Sequence, residues 1–266
     1  MSTAFADQVV WITGASSGIG EALARAFAVA GARVVLSARR ETELQRVAAT
    51  LAGGAEHHIV LPLDLTATDT FPAAVATVTA RCGHIDLLIN NGGLGQRGFA
   101  VDTPLEIDRR IMEVNYFGQV GLTKAVLPGM IARGAGRVVV ISSVVGYVAT
   151  PRRSAYAASK HALHGFFNAL RAEVHATGVR VTLVCPGYVR TEISVHALDS
   201  TGGRHAKMDT TQANAMSADV FAARLLSQIA AGRDEIHIGG REVWAVRLQR
   251  WLPRLTARIL RRAKFS

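Results

Sequence analysis

Residues 13–20 read Thr13-Gly14-Ala15-Ser16-Ser17-Gly18-Ile19-Gly20, and this stretch decides the fold. It follows the β-branched run Gln8–Thr13 and opens an Ala-rich segment with a helical pattern. Gly14 permits a tight turn, Gly18 lets backbone N–H groups approach a pyrophosphate, and Gly20 allows close packing of helix on strand. A glycine-rich turn between a strand and a helix at the start of a chain predicts a dinucleotide-binding site.

The rest of the chain alternates short β-branched runs with longer segments rich in Ala, Leu and Arg. This alternation predicts an α/β fold, a Rossmann-like, doubly wound parallel sheet of about seven strands in a single domain. Its ligand crevice is expected at the carboxyl ends of the strands. The predicted strands are Gln8–Thr13, Arg33–Ser37, His57–Leu61, Ile85–Asn90, Arg137–Ser142, Arg180–Val184 and Glu235–Ile238. The predicted helices are Gly20–Ala30, Glu41–Leu51, Thr68–Cys82, Pro104–Arg133, Ala155–Thr177 and Ala218–Ala231, and the irregular segment Gly187–Ser217 is a predicted lid.

The second predicted strand distinguishes between the two nicotinamide cofactors. Ala38 stands where an NAD site carries an acid for the ribose 2′-hydroxyl, and Arg39 follows it directly. A carboxylate would repel a 2′-phosphate, whereas a guanidinium can bind it bidentately. The pattern therefore predicts NADP(H), with Arg39 as the phosphate ligand and Arg40 as a solvated neighbour.

A tyrosine and a lysine four residues apart supply candidate acid–base groups. Tyr156 and Lys160 share one face of a predicted helix, and Ser143 ends the strand before it. A phenol is a weak base at neutral pH, but a nearby ammonium, helped by oxidised nicotinamide, favours the phenolate. Ser143 would hold the substrate oxygen. The sequence predicts hydride transfer between a ketone or aldehyde and an alcohol, with Tyr156 as general acid or base.

With the glycine turn, these pieces resemble the classical short-chain dehydrogenase/reductase (SDR) family over roughly residues 7–240. The resemblance implies that Asp64 contacts adenine, that the segment around Asn91 lies beside the cofactor, and that Asn115 holds a proton-relaying water. It also implies a homodimer or homotetramer that pairs through the helix of Tyr156 and the helix before it. Gly92 departs from the family's usual alanine, which is expected to loosen its loop slightly. The predicted catalytic residues are Asn115, Ser143, Tyr156 and Lys160. The predicted cofactor-binding residues are Gly14, Ser16, Ser17, Gly18, Ile19, Gly20, Arg39, Asp64, Leu65, Asn91, Gly92, Tyr156, Lys160, Pro186, Gly187, Val189 and Thr191.

Two other functions fit parts of the pattern. The first is a non-catalytic NADP-binding interaction module on the same fold, which loss of the tyrosine or lysine would have indicated. The second is a serine hydrolase, because Gly14-Ala15-Ser16-Ser17-Gly18 matches a nucleophile elbow and Asp209 and His237 could complete a triad. That elbow normally lies inside the sheet and does not require Gly20, so the oxidoreductase is favoured. The expected substrate is a fairly apolar small molecule.

The final residues differ in charge from the rest. Residues 241–266 hold eight Lys/Arg and one acid, whereas the first 240 residues hold 22 basic and 19 acidic residues. We therefore predict a catalytic region, 1–240, and a basic amphipathic C-terminal extension, 241–266, in which Pro253 kinks a helix or starts a second one. The apolar stripe of the extension is Trp244, Leu248, Trp251, Leu255 and Ile259.

The stripe leaves two alternatives open: it packs on this protein or a second subunit, or it lies in a membrane interface. Nucleic acid is not expected, since no reading motif accompanies the charge. No metal is expected either, because His161 and His164 lack an acid or cysteine partner and are expected at a surface or interface. With no secretory signal pattern and two unpaired cysteines, the predicted location is cytoplasmic, with contact to the inner membrane face as the alternative.

Overall fold

A computed structural model describes residues 4–209 and 213–263. In this part of the chain, seven parallel strands form one central sheet. The strands are β1 Val9–Thr13, β2 Arg33–Ser37, β3 Ile59–Val60, β4 Leu87–Asn90, β5 Gly136–Ile141, β6 Val179–Pro186 and β7 Glu235–Ile238. Their order across the sheet is β7-β6-β5-β4-β1-β2-β3, which is a doubly wound arrangement as predicted.

Helices cover both faces of the sheet. One core layer joins the sheet to α1, α2 and α7, and the other joins it to α3, α5 and α6. Because both faces are covered, the central strands are buried on both sides and are rich in Val, Ile and Leu. The helices are α1 Gly18–Val29, α2 Glu41–Ala48, α3 Phe71–Cys82, α4 Leu105–Met112, α5 Gly118–Arg133, α6 Ser154–Glu173, α7 Ala218–Ala230, α8 Trp244–Trp251 and α9 Pro253–Arg262.

Two predicted elements differ from the structure. The strand predicted over His57–Leu61 is reduced to β3, because Ala55–His57 forms a 3₁₀ turn instead. The helix predicted over Pro104–Arg133 is two helices, α4 and α5, joined by the π-helical turn Glu113–Phe117.

The predicted lid, Gly187–Ser217, is irregular apart from two-residue strands. Val189–Arg190 pairs with Met216–Ser217, and Leu198–Asp199 pairs with Gln96–Arg97. The first pairing joins the two ends of the segment to each other, and the second ties the segment to the body. Residues 210–212 of the predicted lid lie outside the described residues.

The extension forms two short helices, α8 and α9, and Pro253 begins the second. Val246 and Thr256 are buried, while Trp244 and Trp251 are exposed. The extension thus packs one side on the body and leaves most of its apolar stripe uncovered. Within the described residues, no helix combines the length and apolarity needed to cross a bilayer.

Candidate active site

The glycine turn at the end of β1 depends on its glycines. Gly14 and Gly18 have φ of 65° and 56°, a left-handed conformation that side chains disfavour. A Cβ on Gly20 would lie 2.2 Å from the Gly14 carbonyl oxygen. The turn and the start of α1 therefore approach each other at a distance that only glycine permits. Their N–H groups face the carboxyl edge of the sheet, as a pyrophosphate site requires.

Hydrogen bonds fix the loop after β4 against this turn. The Thr13 hydroxyl accepts from the Asn91 and Gly92 N–H groups, at 3.0 Å each. The Gln119 amide donates to the Gly92 carbonyl at 2.8 Å. Both polar backbone groups of Gly92 are thus bonded, so the structure does not show the looser loop expected there. An alanine would instead place its Cβ 2.7 Å from Cδ1 of Leu65, which would have to turn away.

Two adjoining cavities open along this edge. A cavity of about 480 Å³ extends from the glycine turn to Arg39 and Arg40. A second, of about 260 Å³, contains Tyr156 and Lys160. Ile19, Asn91 and Thr191 line both, so one elongated molecule can span the pair. The predicted cofactor residues in the first are Gly14, Ser16, Ser17, Gly18, Ile19, Arg39, Asp64, Leu65, Asn91, Gly92 and Thr191. Those in the second are Ile19, Asn91, Tyr156, Lys160, Pro186, Gly187, Val189 and Thr191, while Gly20 is buried beneath the turn.

The Arg39 end of the first cavity suits a phosphate. Arg39 is exposed and forms no ion pair or hydrogen bond with any residue that the structure describes. The Ser37 hydroxyl beside it is already used, since it accepts from Nε1 of Trp11 and donates to the Leu61 carbonyl, at 2.8 Å each. With Ala38 next in the chain, no carboxylate stands at the end of β2.

Ser143, Tyr156 and Lys160 line the 260 Å³ cavity together. Ser143 follows β5, while Tyr156 and Lys160 lie one turn apart on α6. The Lys160 ammonium is buried, donates to the Ile141 carbonyl at 2.8 Å and lies 5.7 Å from the centroid of the Tyr156 ring. The three predicted catalytic side chains are thus on one wall, next to the cofactor cavity.

Asn115 enters this site through the π-helical turn. Its amide Nδ2 donates to the Leu94 carbonyl at 2.9 Å and to the Ser159 hydroxyl at 3.0 Å, and its Oδ1 accepts from the Leu94 N–H at 2.7 Å. A Cβ on Gly93 would lie 3.1 Å from Oδ1 of Asn115 and 4.0 Å from Nζ of Lys160. The missing side chain of Gly93 leaves a small space between the amide and the ammonium.

The comparisons with known proteins agree with this geometry. The family model described as short chain dehydrogenase matches residues 8–201. The chain belongs to the short-chain dehydrogenase family.

Relatives and solved structures extend the match. The chain is 50% identical over 236 residues to a dehydrogenase/reductase SDR family protein 7-like from Anopheles gambiae, covering 86% of this chain and 73% of the relative. It resembles a metagenomic short-chain oxidoreductase solved with NADP (TM-score 0.73, 30% identity, 88% and 98% of the two chains). It also resembles a Burkholderia phymatum short-chain dehydrogenase/reductase solved with NAD (TM-score 0.84, 25% identity, 96% of each chain). The protein is therefore an oxidoreductase of the SDR type that uses a nicotinamide dinucleotide.

Electrostatics around Tyr156 differ from the expectation. Burial raises the pKa of the Tyr156 phenol, while hydrogen bonding to Ser143 and the charges of Arg153 and Arg97 lower it in part. Burial also lowers the pKa of Lys160 to about 8. The Lys160 ammonium donates to the Ile141 carbonyl and faces the ring of Tyr156 rather than its hydroxyl. The groups that lower the pKa of the phenol are Ser143, Arg153 and Arg97, and the expected effect of Lys160 is not among them.

Sequence reasoning missed a buried amide that positions the catalytic helix. Oε1 of Gln96 accepts from the Ala155 N–H at 2.8 Å and the Tyr156 N–H at 3.2 Å. It thereby caps the first turn of α6 and fixes the backbone position of Tyr156. Gln96 lies about 60 residues before these partners in the chain, and no local pattern marks it.

The C-terminal extension, which we predicted to be a separate region, also lines the 260 Å³ cavity. Glu242, Ala245 and Leu260 line the 260 Å³ cavity. Oε1 of Glu242 accepts from the Tyr188 and Gly240 N–H groups, at 2.9 Å each. A Cβ on Gly187 would lie 2.0 Å from that oxygen. The boundary predicted after residue 240 stays a prediction, but the cavity crosses it.

The structure separates the groups of the hydrolase alternative. Asp209 is held by Arg97 and Arg153, and Nε2 of His237 lies 3.0 Å from Oε1 of Glu235. Neither Asp209 nor His237 lines the cavity that contains Ser16.

The two helix histidines have different surroundings. His161 is exposed, but His164 is buried inside the protomer, with Nε2 2.8 Å from the Ser142 hydroxyl, so the surface or interface position expected for His164 is wrong. Burial lowers the pKa of His164 to about 4, which keeps it neutral. Among the described residues, no group of three or more His, Cys, Asp or Glu side chains is arranged to hold a metal ion.

Proposed function

We propose that this dehydrogenase is an NADP(H)-dependent carbonyl reductase or alcohol dehydrogenase in which Tyr156 exchanges the proton. The observation that carries the proposal is the shared wall of the 260 Å³ cavity, where Ser143, Tyr156 and Lys160 adjoin the cofactor cavity. A nicotinamide dinucleotide bound across the two cavities supplies or accepts the hydride.

The side chains of this wall have distinct tasks. In reduction, Ser143 and Tyr156 donate hydrogen bonds to the carbonyl oxygen, and the Tyr156 proton passes to that oxygen as the C–H bond forms at carbon. The phenolate that remains regains a proton along Lys160 and the space next to Asn115 and Gly93. Oxidation runs the same proton path in reverse. Val144, Val145 and Tyr188 give the cavity apolar walls, which supports a fairly apolar substrate.

Two features favour NADP(H) over NAD(H). Arg39 has no partner among the described residues, and no acid stands at the end of β2. A 2′-phosphate would pair with this guanidinium, whereas a 2′-hydroxyl would lack its usual carboxylate acceptor. The non-catalytic module remains the second candidate, and the intact tyrosine and lysine in an open cavity favour catalysis over it.

The proposal is tested by Tyr156→Phe, with Tyr147→Phe as the matched control. The Tyr147 hydroxyl donates to Glu235 at 2.5 Å and does not line either cavity. With a ketone or aldehyde found by an NADPH-oxidation screen, Tyr156→Phe should lower kcat by about 10²–10⁴-fold and leave NADPH binding unchanged. The control should turn over normally. Near-normal turnover by Tyr156→Phe would refute the assignment.

We further propose a homodimer or homotetramer that pairs through α5 and α6. Phe117 and Ile131, just before and within α5, are exposed apolar side chains that such an interface would cover. Light scattering on the purified protein measures the assembly mass, and a monomer would contradict the proposal.

The extension supports a second proposal, peripheral binding to an anionic membrane from the cytoplasmic side. Trp244, Trp251, Leu252, Leu255 and Ile259 are exposed together. Arg247, Arg250, Arg254 and Arg258 lie beside them in the same two helices and are also exposed. Exposed tryptophans next to arginines suit the boundary between acidic headgroups and acyl chains.

A further inference from the structure

A buried ionic cluster lies beside Tyr156, and the proton path above does not pass through it. It consists of Arg97, next to the Gln96 cap, Arg153, directly before α6, and Asp209, from the Gly187–Ser217 segment. Their side chains are 7%, 8% and 3% exposed. Long charged side chains are rarely buried to this degree without a charge partner.

The charges of the cluster do not balance. A single oxygen, Oδ2 of Asp209, accepts from Nε of Arg97 at 3.0 Å, from Nη2 of Arg97, and from Nη2 of Arg153 at 3.1 Å. Within the described residues, no second carboxylate forms an ion pair with either arginine. The carboxylate of Asp199, which pairs in register with Arg97, accepts instead from Thr201 and from the Gly203 N–H. Two guanidinium cations therefore share one anion, and an uncompensated buried charge is unfavourable.

The surplus charge faces the reaction cavity. Arg97 and Arg153 both line the 260 Å³ cavity that contains Ser143 and Tyr156. Nη1 of Arg97 is bonded to the Gln96 carbonyl at 2.7 Å. Nε and Nη1 of Arg153, by contrast, have no hydrogen-bond partner among the described residues, and neither is among the buried polar atoms shielded from solvent. Arg153 thus has unpaired donors and lines a cavity whose other lining residues include the apolar Val145, Val148 and Leu260.

We propose that Arg153, supported by Arg97, binds an anionic group of the substrate. The substrate class is then a ketone or aldehyde, or the corresponding alcohol, that carries a carboxylate or phosphate on an apolar body. A guanidinium with two unpaired nitrogens matches either oxyanion, and one negative charge on the bound group restores neutrality to the cluster. The proposal rests on the proposed function of this cavity, because it places the anion next to the group that exchanges the proton.

Binding of small, unreactive probes tests the subsite without turnover. Benzoate, phenyl phosphate and the neutral benzamide are titrated calorimetrically into the protein saturated with NADP⁺, which keeps the probes out of the cofactor cavity. At least one anion should bind about tenfold or more tightly than benzamide, which corresponds to one charge-assisted hydrogen bond. Whichever anion binds better identifies the preferred headgroup. Equal binding of all three would overturn the proposal.

Three variants separate recognition from a purely structural ion cluster. Arg153→Gln should abolish the preference for anions, and Arg153→Lys should keep part of it. Asp209→Asn should strengthen the preference, because it removes the carboxylate that competes for Arg153. A structural cluster would instead be destabilised by every change, with no opposite effects on anion affinity. If Arg153→Gln fails to fold, the changes in anion affinity of Arg153→Lys (weaker) and Asp209→Asn (stronger) still test the proposal. Weaker anion binding by Asp209→Asn would overturn the proposal.

Turnover of 4-acetylbenzoate and its methyl ester connects the subsite to catalysis. A lower KM for the acid than for the ester, lost in Arg153→Gln, supports the substrate class. Anion binding without reduction of either compound would leave the subsite intact and count against the proposed function instead. Equal KM values for acid and ester, with both reduced, would overturn the assigned substrate class.

Discussion

Lys160 carries its charge in surroundings that disfavour it. The side chain is buried, and burial lowers its pKa to about 8 from an ordinary value of 10.5. The compensating contact is one hydrogen bond to the Ile141 carbonyl. A cation held this way destabilises the folded state at neutral pH, which is a common feature of catalytic groups.

This arrangement predicts how the free energy of unfolding depends on pH. Between pH 8 and 10.5 the folded state has released the Lys160 proton while the unfolded chain keeps it, so stability rises with pH in this window. The contribution reaches about 3 kcal/mol. Urea unfolding of the wild type and of Lys160→Met at a series of pH values should show the stability of the wild type rising relative to the variant between pH 8 and 10.5. Loss of the hydrogen bond to the Ile141 carbonyl alone would shift the stability of the variant by the same amount at every pH. Parallel pH profiles would therefore contradict the argument that burial lowers the pKa of Lys160.

Arg39 predicts a change in cofactor preference. Arg39→Gln should raise the KM for NADPH by about tenfold or more, the loss of one charge-assisted contact, and leave the KM for NADH unchanged. Arg40→Gln is the control, because it removes the same charge one residue further on. Equal effects of the two variants on NADPH would mean that Arg39 contributes only general positive charge.

Single residues were predictable where the motif is local. Tyr156 and Lys160 are one helical turn apart, and Gly14, Gly18 and Gly20 fall within seven residues, so spacing alone places them. Gln96, Arg97 and Arg153 were not predicted, because they act through partners 56 to 112 residues away. Nothing in the sequence near Asp209 indicates which cations it meets.

At the scale of elements, the glycine turn and α1 form one rigid unit. A Cβ at Gly20 would approach the backbone oxygen of Gly14 to 2.2 Å and Nδ2 of Asn91 to 2.7 Å, and the closer of these atoms belongs to the turn itself. Relief of such a clash requires the turn itself to move. The N–H groups that we propose to bind the pyrophosphate would then move with it.

Gly20→Ala should therefore weaken NADPH binding by more than about tenfold and destabilise the fold by about 1–3 kcal/mol. Gly129→Ala in α5 is the matched control, because no atom of the same protomer lies within 4 Å of the Cβ it would add. That control should stabilise the protein by about 0.5–1 kcal/mol, as alanine does in a helix interior. Fluorescence titration with NADPH and urea unfolding measure both quantities. Unchanged NADPH affinity in Gly20→Ala would show that the close approach is dispensable.

The π-helical turn shows the limit of periodicity. Residues 104–133 have a continuous helical pattern, and no proline or glycine marks Glu113–Phe117. The extra residue in this turn accompanies the bonds that Asn115 makes to Leu94 and Ser159, which lie 21 and 44 residues away. Such widened turns occur often at functional sites and result from tertiary contacts rather than from propensity.

For the whole molecule, charge is concentrated at one end. Of the net charge of +10, residues 241–266 supply most, and they place it beside the exposed tryptophans of α8 and α9. The fold class and strand order followed from the alternation of patterns along the chain. The position of the extension over the cavity did not, because an amphipathic stripe does not specify which surface covers it.

The membrane proposal predicts selective binding to anionic vesicles. The wild type should co-sediment with phosphatidylglycerol vesicles at low salt and only weakly with phosphatidylcholine, and Trp251→Ser should reduce binding. Trp251 is 78% exposed. Val101→Ser is the control, because Val101 is 91% exposed but lies outside the extension. Equal binding of the wild type and Trp251→Ser to the vesicles would refute the membrane proposal. A lower assembly mass of the variant by light scattering would show instead that the apolar stripe contacts a second subunit.

Glu242 gives the C-terminal segment a role in the evolution of this enzyme. Its carboxylate rests against Gly187 and accepts from the Tyr188 N–H, so the last two helices close one side of the reaction cavity. Selection can therefore exchange this closing segment, with Ala245 and Leu260 on its inner side, and alter which molecules are accepted while the hydride and proton machinery stays as it is. Paralogues with the same cofactor chemistry can thus diverge in substrate preference through changes in this C-terminal segment.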